Sequence, residues 1–183
     1  EIIKYSKMLN SKKLSALRSG NISVRFKDGF LITPSGKKYS SLKGKDIVFV
    51  SLKGNFDKKK GVPSSEWKFH QDIYLNKKDA KAIVHAHSIN ATAVASHNKS
   101  IPAFHYMVAM AGGHDIKCAK YATYGTRELS KNILKALKGR KACLISNHGQ
   151  IVFEENLPKA FELAEEVENI SLQYITSLKL GKP

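Results

Sequence analysis

Ala82-Ile83-Val84-His85-Ala86-His87-Ser88 is an apolar run carrying two histidines two positions apart. In an extended strand successive side chains alternate faces, so His85 and His87 project from one side with Ile83, and Val84 and Ala86 from the other. Neutral imidazoles are good ligands for zinc and similar divalent ions, and a third ligand from elsewhere would leave one coordination position open, which a catalytic metal requires. His148 is the third candidate, in Cys143-Leu144-Ile145-Ser146-Asn147-His148-Gly149, where an apolar strand pattern runs into a glycine. Glu66, in Pro63-Ser64-Ser65-Glu66-Trp67, is a fourth, as ligand or as general base beside the metal. His-x-His alone is a weak signal, because half-buried histidines are common on strands.

Outward from this strand the pattern predicts regular elements on both sides. Upstream, Ser64 and Ser65 can cap a helix with Trp67, Phe69, His70, Ile73 and Tyr74 on its apolar side. Glu66 in its first turn has an ordinary explanation in the helix macrodipole. Earlier still, residues 1–17 suggest a helix followed by an irregular turn at Asn10-Ser11, and 21–26 and 30–33 flank Lys27-Asp28-Gly29 as a hairpin. Pro34-Ser35-Gly36 makes a turn, 47–51 a strand, and the lysine-rich stretch to Gly61 an exposed loop. Downstream, Ser88 can cap a short alanine-rich helix, 101–124 reads as a long loop with short elements, and Thr126 can cap another helix. Residues 142–146 and 150–154 form strands, and a final helix starts near Pro158. Helices should pack on a mostly antiparallel or mixed sheet, an α/β arrangement in a single domain of residues 1–183.

The 31 Lys and Arg against 15 Asp and Glu give a formal charge of +16, which invites a nucleic-acid partner. Their scatter in pairs and short runs such as Lys58-Lys59-Lys60, without interleaved aromatics, reads instead as a solvated exterior. A positive field does favour a small anionic substrate such as a sugar phosphate. Two cysteines, Cys118 and Cys143, suggest no disulfide framework, and neither a membrane span nor a signal peptide is written in the sequence. A cytoplasmic protein is the expectation. The remaining histidines, His70, His97, His105 and His114, read as structural.

Several segments taken together resemble the class II aldolase/adducin family: Gly20-Asn-Ile-Ser-Val-Arg25, Leu31-Ile-Thr-Pro-Ser-Gly36, Pro63-Ser-Ser-Glu-Trp67, Val84-His-Ala-His87, Ile101-Pro-Ala-Phe-His-Tyr-Met107, Tyr121-Ala-Thr-Tyr-Gly-Thr-Arg-Glu-Leu129 and Asn147-His-Gly149. They follow the family's order and cover nearly the whole chain. The resemblance implies a three-layer αβα fold, a homotetramer with active sites at subunit interfaces, and one Zn²⁺ per subunit held by His85, His87 and His148. It assigns Glu66 to the metal at rest and to proton transfer when substrate arrives. It places a substrate phosphate on Asn21, Ser35, Gly36, Ser64 and Ser65; such hydroxyls, amides and backbone N–H groups suit a phosphate dianion. Tyr106, reaching from a neighbouring subunit, would exchange a proton with the aldehyde oxygen, and Tyr124 would wall the aldehyde's apolar end.

The implied reaction is reversible cleavage of a deoxyketose 1-phosphate, L-fuculose 1-phosphate first among the candidates, to dihydroxyacetone phosphate and a short aldehyde such as L-lactaldehyde. Zinc would act as a Lewis acid on the ketose carbonyl. Pentulose-phosphate 4-epimerisation and methylthioribulose 1-phosphate dehydration are alternatives on the same fold. An adducin-like interaction module is the non-enzymatic one; it predicts loss of the metal ligands. Longer aldolases of this type carry a C-terminal tail that helps close the site, whereas this sequence ends at Pro183, so aldehyde specificity and closure are left open.

Overall fold

The computed structural model describes residues 1–181, so the expectation tied to the ending at Pro183 lies outside the described residues. The described residues fold around seven strands: β1 (Asn21–Phe26), β2 (Gly29–Ile32), β3 (Val48–Ser51), β4 (Ala82–Ala86), β5 (Cys118–Ala119), β6 (Ala142–Ile145) and β7 (Gly149–Glu154). They form one sheet in the order β3-β2-β1-β4-β7-β6-β5, antiparallel except where β5 meets β6. The histidine-bearing strand is thus central, paired with β1 on one side and β7 on the other. β1 and β2 make the expected hairpin, with Lys27 at φ 50 in its turn.

Among the described residues five α-helices cover the sheet: α1 (Ile2–Ser11), α2 (Trp67–Asn76), α3 (Ile89–Ser96), α4 (Arg127–Ala136) and α5 (Leu157–Leu178). Strand alternation decides which helices meet which face. Ile22, Val84, Leu144 and Val152 join one core with Ile2 and Leu9 of α1, Val94 of α3 and Phe161 and Val167 of α5. Their neighbours one residue away, Ile83, Cys143, Ile145, Ile151 and Phe153, join a second core with Phe69 and Ile73 of α2 and Leu129 and Ile133 of α4. The result is the expected three-layer αβα arrangement.

Local chemistry sets the helix ends, with two departures from expectation, at Ser88 and at the start of α2. Thr126 caps α4 as expected, its Oγ1 accepting the Leu129 N–H, and Asn156 accepts the Lys159 N–H ahead of α5. Ser88 stands at the start of α3 but makes no cap bond with its side chain. Its Oγ accepts from Gln150 instead, and the Glu168 carboxylate of α5 takes the Asn90 and Ala91 N–H groups. At α2 the cap position belongs to Glu66, without a side-chain cap bond; Ser64 Oγ accepts the Glu66 N–H at 3.3 Å just before the helix. The first helix stops at Ser11, at the expected turn; Leu14 is buried beyond it, while Leu17 is 75% exposed. No helix of the described residues is long and apolar enough to cross a membrane.

Candidate metal centre

The site forms where β1, β4 and β7 end together. Antiparallel register sets Asn21 opposite His85, and Ala86 opposite Gln150. Two glycines permit the close approach. Gly20 sits at φ 76, where a Cβ would lie 2.6 Å from the His85 carbonyl oxygen, and at Gly149 a Cβ would lie 2.3 Å from that of Ala86. Asn147, at φ 53, turns the chain between β6 and β7 and carries His148 beside the end of β4. His87 lies just past β4, its N–H donating to Ser15 Oγ at 3.0 Å.

These elements bring together all four metal candidates. One ligand atom each from Glu66, His85, His87 and His148 lies within 4.8 Å of every other. His85 and His87 approach to 2.9 Å between Nε2 atoms, and Glu66 places Oε2 3.2 Å from His85 Nε2 and Oε1 3.2 Å from His148 Nε2. His85 Nδ1 donates to the Gln150 carbonyl at 2.8 Å, so its Nε2 turns a lone pair toward the cluster. At most one proton fits between the two imidazoles, and it does nothing for Glu66 Oε1, a buried atom with no hydrogen-bond partner among the described residues. A divalent cation among the four donors satisfies them all, so these residues fit a metal.

Burial pushes the His87 and His148 pKa values down, to about 3 and about 4, with further lowering from His85. Both are therefore neutral, as ligands must be. Burial alone would raise the Glu66 carboxyl, but in acid, where the imidazoles take up protons, His85, His148 and His87 outweigh it and hold it at about 2. The site is ionised and ready for a cation at neutral pH.

Above the cluster opens a cavity of about 380 Å³. Asn21, Ser35, Gly36, Ser64, Ser65, Glu66, His87, His148 and Tyr124 all line it. His85 lies beneath, fully buried. Asn21 has its amide engaged at both ends, donating from Nδ2 to Glu66 Oε2 at 2.9 Å and meeting His70 Nε2 through Oδ1. Tyr106 is not brought in: it stands 80% exposed on a 3-10 helix, Tyr106–Ala111, away from the cavity.

Sequence reasoning missed Arg18 and Tyr121, which also line the cavity. Arg18 is its one permanent cation among the described residues and donates from Nη1 to the Gly36 carbonyl at 3.0 Å. The available signal was an arginine two residues before the Gly20-Asn21 turn. It is lost among 31 basic residues.

The description "Class II Aldolase and Adducin N-terminal domain" belongs to a family model that matches residues 1–175. L-fuculose phosphate aldolase of Escherichia coli K12 is 51% identical over 165 residues, 90% of this chain and 76% of that protein. A 5-methylthioribulose-1-phosphate/5-deoxyribulose-1-phosphate aldolase of Rhodospirillum rubrum is 45% identical over 182 residues, 100% of this chain and 82% of that one. A solved structure of an L-fuculose 1-phosphate aldolase superposes with a TM-score of 0.95 at 42% identity, covering 100% of this chain and 86% of the other. The chain belongs to the class II aldolase and adducin family, and within it is an aldehyde-lyase.

Proposed function

We propose that this aldolase reversibly cleaves L-fuculose 1-phosphate, or a close deoxyketose 1-phosphate, to dihydroxyacetone phosphate and L-lactaldehyde or a similar aldehyde. The observation that carries the reading is the convergence of Glu66 with His85, His87 and His148 at the floor of a cavity rimmed by hydroxyls and a guanidinium. In this reading His85, His87, His148 and Glu66 hold one Zn²⁺, which when bound supplies Lewis-acid polarisation of the substrate carbonyl. The presence of all four donors argues against an adducin-like role without chemistry.

The chain's own residues supply the rest. Glu66 takes the carbon-bound proton of dihydroxyacetone phosphate in condensation and returns it in cleavage, and Oε1, which no hydrogen bond holds, is the oxygen available for this once the arrival of substrate releases Glu66 from the metal. Ser35, Gly36, Ser64 and Ser65 hold the phosphate. Arg18, which the Gly36 carbonyl fixes through one N–H, adds the charge that neutral donors lack. Asn21, expected in that set, shares its wall and holds Glu66.

Tyr124 and Tyr121 wall the aldehyde end. A homotetramer with interfacial sites supplies the remaining proton donor: the outward position of Tyr106 suits service in a neighbour's cavity. Free thiols at Cys118 and Cys143 fit a reducing, cytoplasmic setting.

A second reading is aldol cleavage of 5-deoxyribulose or 5-methylthioribulose 1-phosphate. The Rhodospirillum rubrum relative, matching along 100% of the chain, favours it. Release of dihydroxyacetone phosphate from each ketose phosphate, measured as kcat/KM in a coupled assay, decides between them. Preference for L-fuculose 1-phosphate supports the first reading, preference for the pentulose derivatives the second. No release from either overturns both.

A further inference from the structure

We propose that His70 is a positioning residue for the reaction, the middle link of a one-way hydrogen-bond chain that fixes which oxygen of Glu66 is free for proton transfer. The inference rests on the reading of Glu66 as the proton-transferring carboxylate. The chain runs from Tyr74 Oη to Ser23 Oγ (2.8 Å), Ser23 Oγ to His70 Nδ1 (2.7 Å), His70 Nε2 to Asn21 Oδ1 (2.5 Å) and Asn21 Nδ2 to Glu66 Oε2 (2.9 Å). All five residues are buried, so no link can be exchanged for bulk water at low cost.

The direction of every bond follows from the last one. An ionised carboxylate only accepts, so Asn21 must turn its NH₂ toward Glu66 and its carbonyl toward His70. That carbonyl needs a donor, which puts the His70 proton on Nε2. Burial and the nearby His85 push the His70 pKa down to about 3, so the ring is neutral and Nδ1 carries a lone pair. Ser23 then donates to Nδ1, and Tyr74 donates to Ser23. Each hydrogen points toward Glu66.

The imidazole has no freedom to turn out of this line. It stacks on Phe69 at 4.9 Å between centroids and 22° between planes, with Phe30 at 6.5 Å and 17°. The far end is fixed too: the Arg25 guanidinium lies 4.7 Å from the centre of the Tyr74 ring and donates to the Tyr74 carbonyl. With the other His70 tautomer, Asn21 would have to rotate and present its carbonyl to the carboxylate. The tautomer of one buried ring therefore holds Oε2 and leaves Oε1 unpartnered. This gives His70 work that an ordinary core histidine does not have.

The test has two arms. In ¹⁵N NMR of wild-type protein, His70 should show protonated Nε2 and bare Nδ1, unchanged from about pH 5 to pH 8. A proton on Nδ1, or titration in that range, overturns the inference without any variant having to fold. In the second arm, His70→Leu should slow exchange of the dihydroxyacetone phosphate proton roughly tenfold or more, with KM within about twofold and metal content retained. His70→Gln, which can still donate to Asn21, should recover part of that rate. Unchanged exchange in His70→Leu, or a loss that merely follows lost metal or lost fold, contradicts the positioning role. Absence of exchange in the wild type would instead sink the reading of Glu66.

Discussion

The two faces of β4 bury different things. Val84 and Ala86 face α3 and α5 across an apolar core with many contributors, where no one partner is indispensable. On the opposite face, Ile83 still packs against α2, but one step further His85 is surrounded by groups that must each find a specific partner: Gln150, His87 and Glu66. The difference teaches how one strand serves both stability and chemistry. Apolar burial is additive and tolerant, whereas a buried polar cluster fails at any unpaired member.

Substitutions on the two faces should therefore separate into two kinds. Glu66→Gln is expected to have the largest effect, slowing exchange of the dihydroxyacetone phosphate proton by about 10²- to 10⁴-fold while the histidines keep the metal. Normal exchange in this variant would refute the assigned base. On the apolar face, Leu144→Ala should cost about 2–5 kcal/mol of stability by denaturant unfolding and leave the metal content unchanged. Loss of metal in that variant would break the proposed separation of the faces.

Acid sharpens the same contrast. His70, His87 and His148 are held neutral, at about 3, 3 and 4, against an ordinary 6.5. Below pH 6.5 the unfolded chain takes up protons at these positions and the folded chain does not, so stability falls as pH falls toward 4. The slope approaches about 1.4 kcal/mol per pH unit for fully buried His70. Thermal unfolding of chelator-treated protein between pH 7 and pH 5 checks this, and a flat profile would contradict the buried, neutral cluster. The smallest expected change is in Arg18→Ala, where KM for the ketose phosphate should rise about tenfold with kcat little altered. An unchanged KM would remove Arg18 from the phosphate set.

Much of this was legible locally. The His85/His87 alternation, the turn at Lys27-Asp28-Gly29 and the cap at Thr126 are short-range patterns, and the structure forms each from the residues that predicted it. What was hidden depends on chain segments far apart. Ser88 looked like a cap because its neighbours in sequence are a strand and a helix, but Glu168, nearly half the chain away, takes those N–H groups. His70 read as a core histidine on the apolar side of α2, and it is buried there. Its partners Ser23 and Asn21 come from β1, where no helical spacing could reveal them. Glu66 stands where a macrodipole would favour it, yet its carboxylate is turned to Asn21, His85 and His148.

The most direct test of the central claim is dihydroxyacetone phosphate release from L-fuculose 1-phosphate on metal-analysed protein, before and after chelation and after zinc is restored. One divalent ion per chain, release that stops on chelation, and release that returns with zinc are the predicted results. Protein that holds no metal, or release indifferent to the chelator, would contradict the joining of Glu66, His85, His87 and His148 into one metal centre.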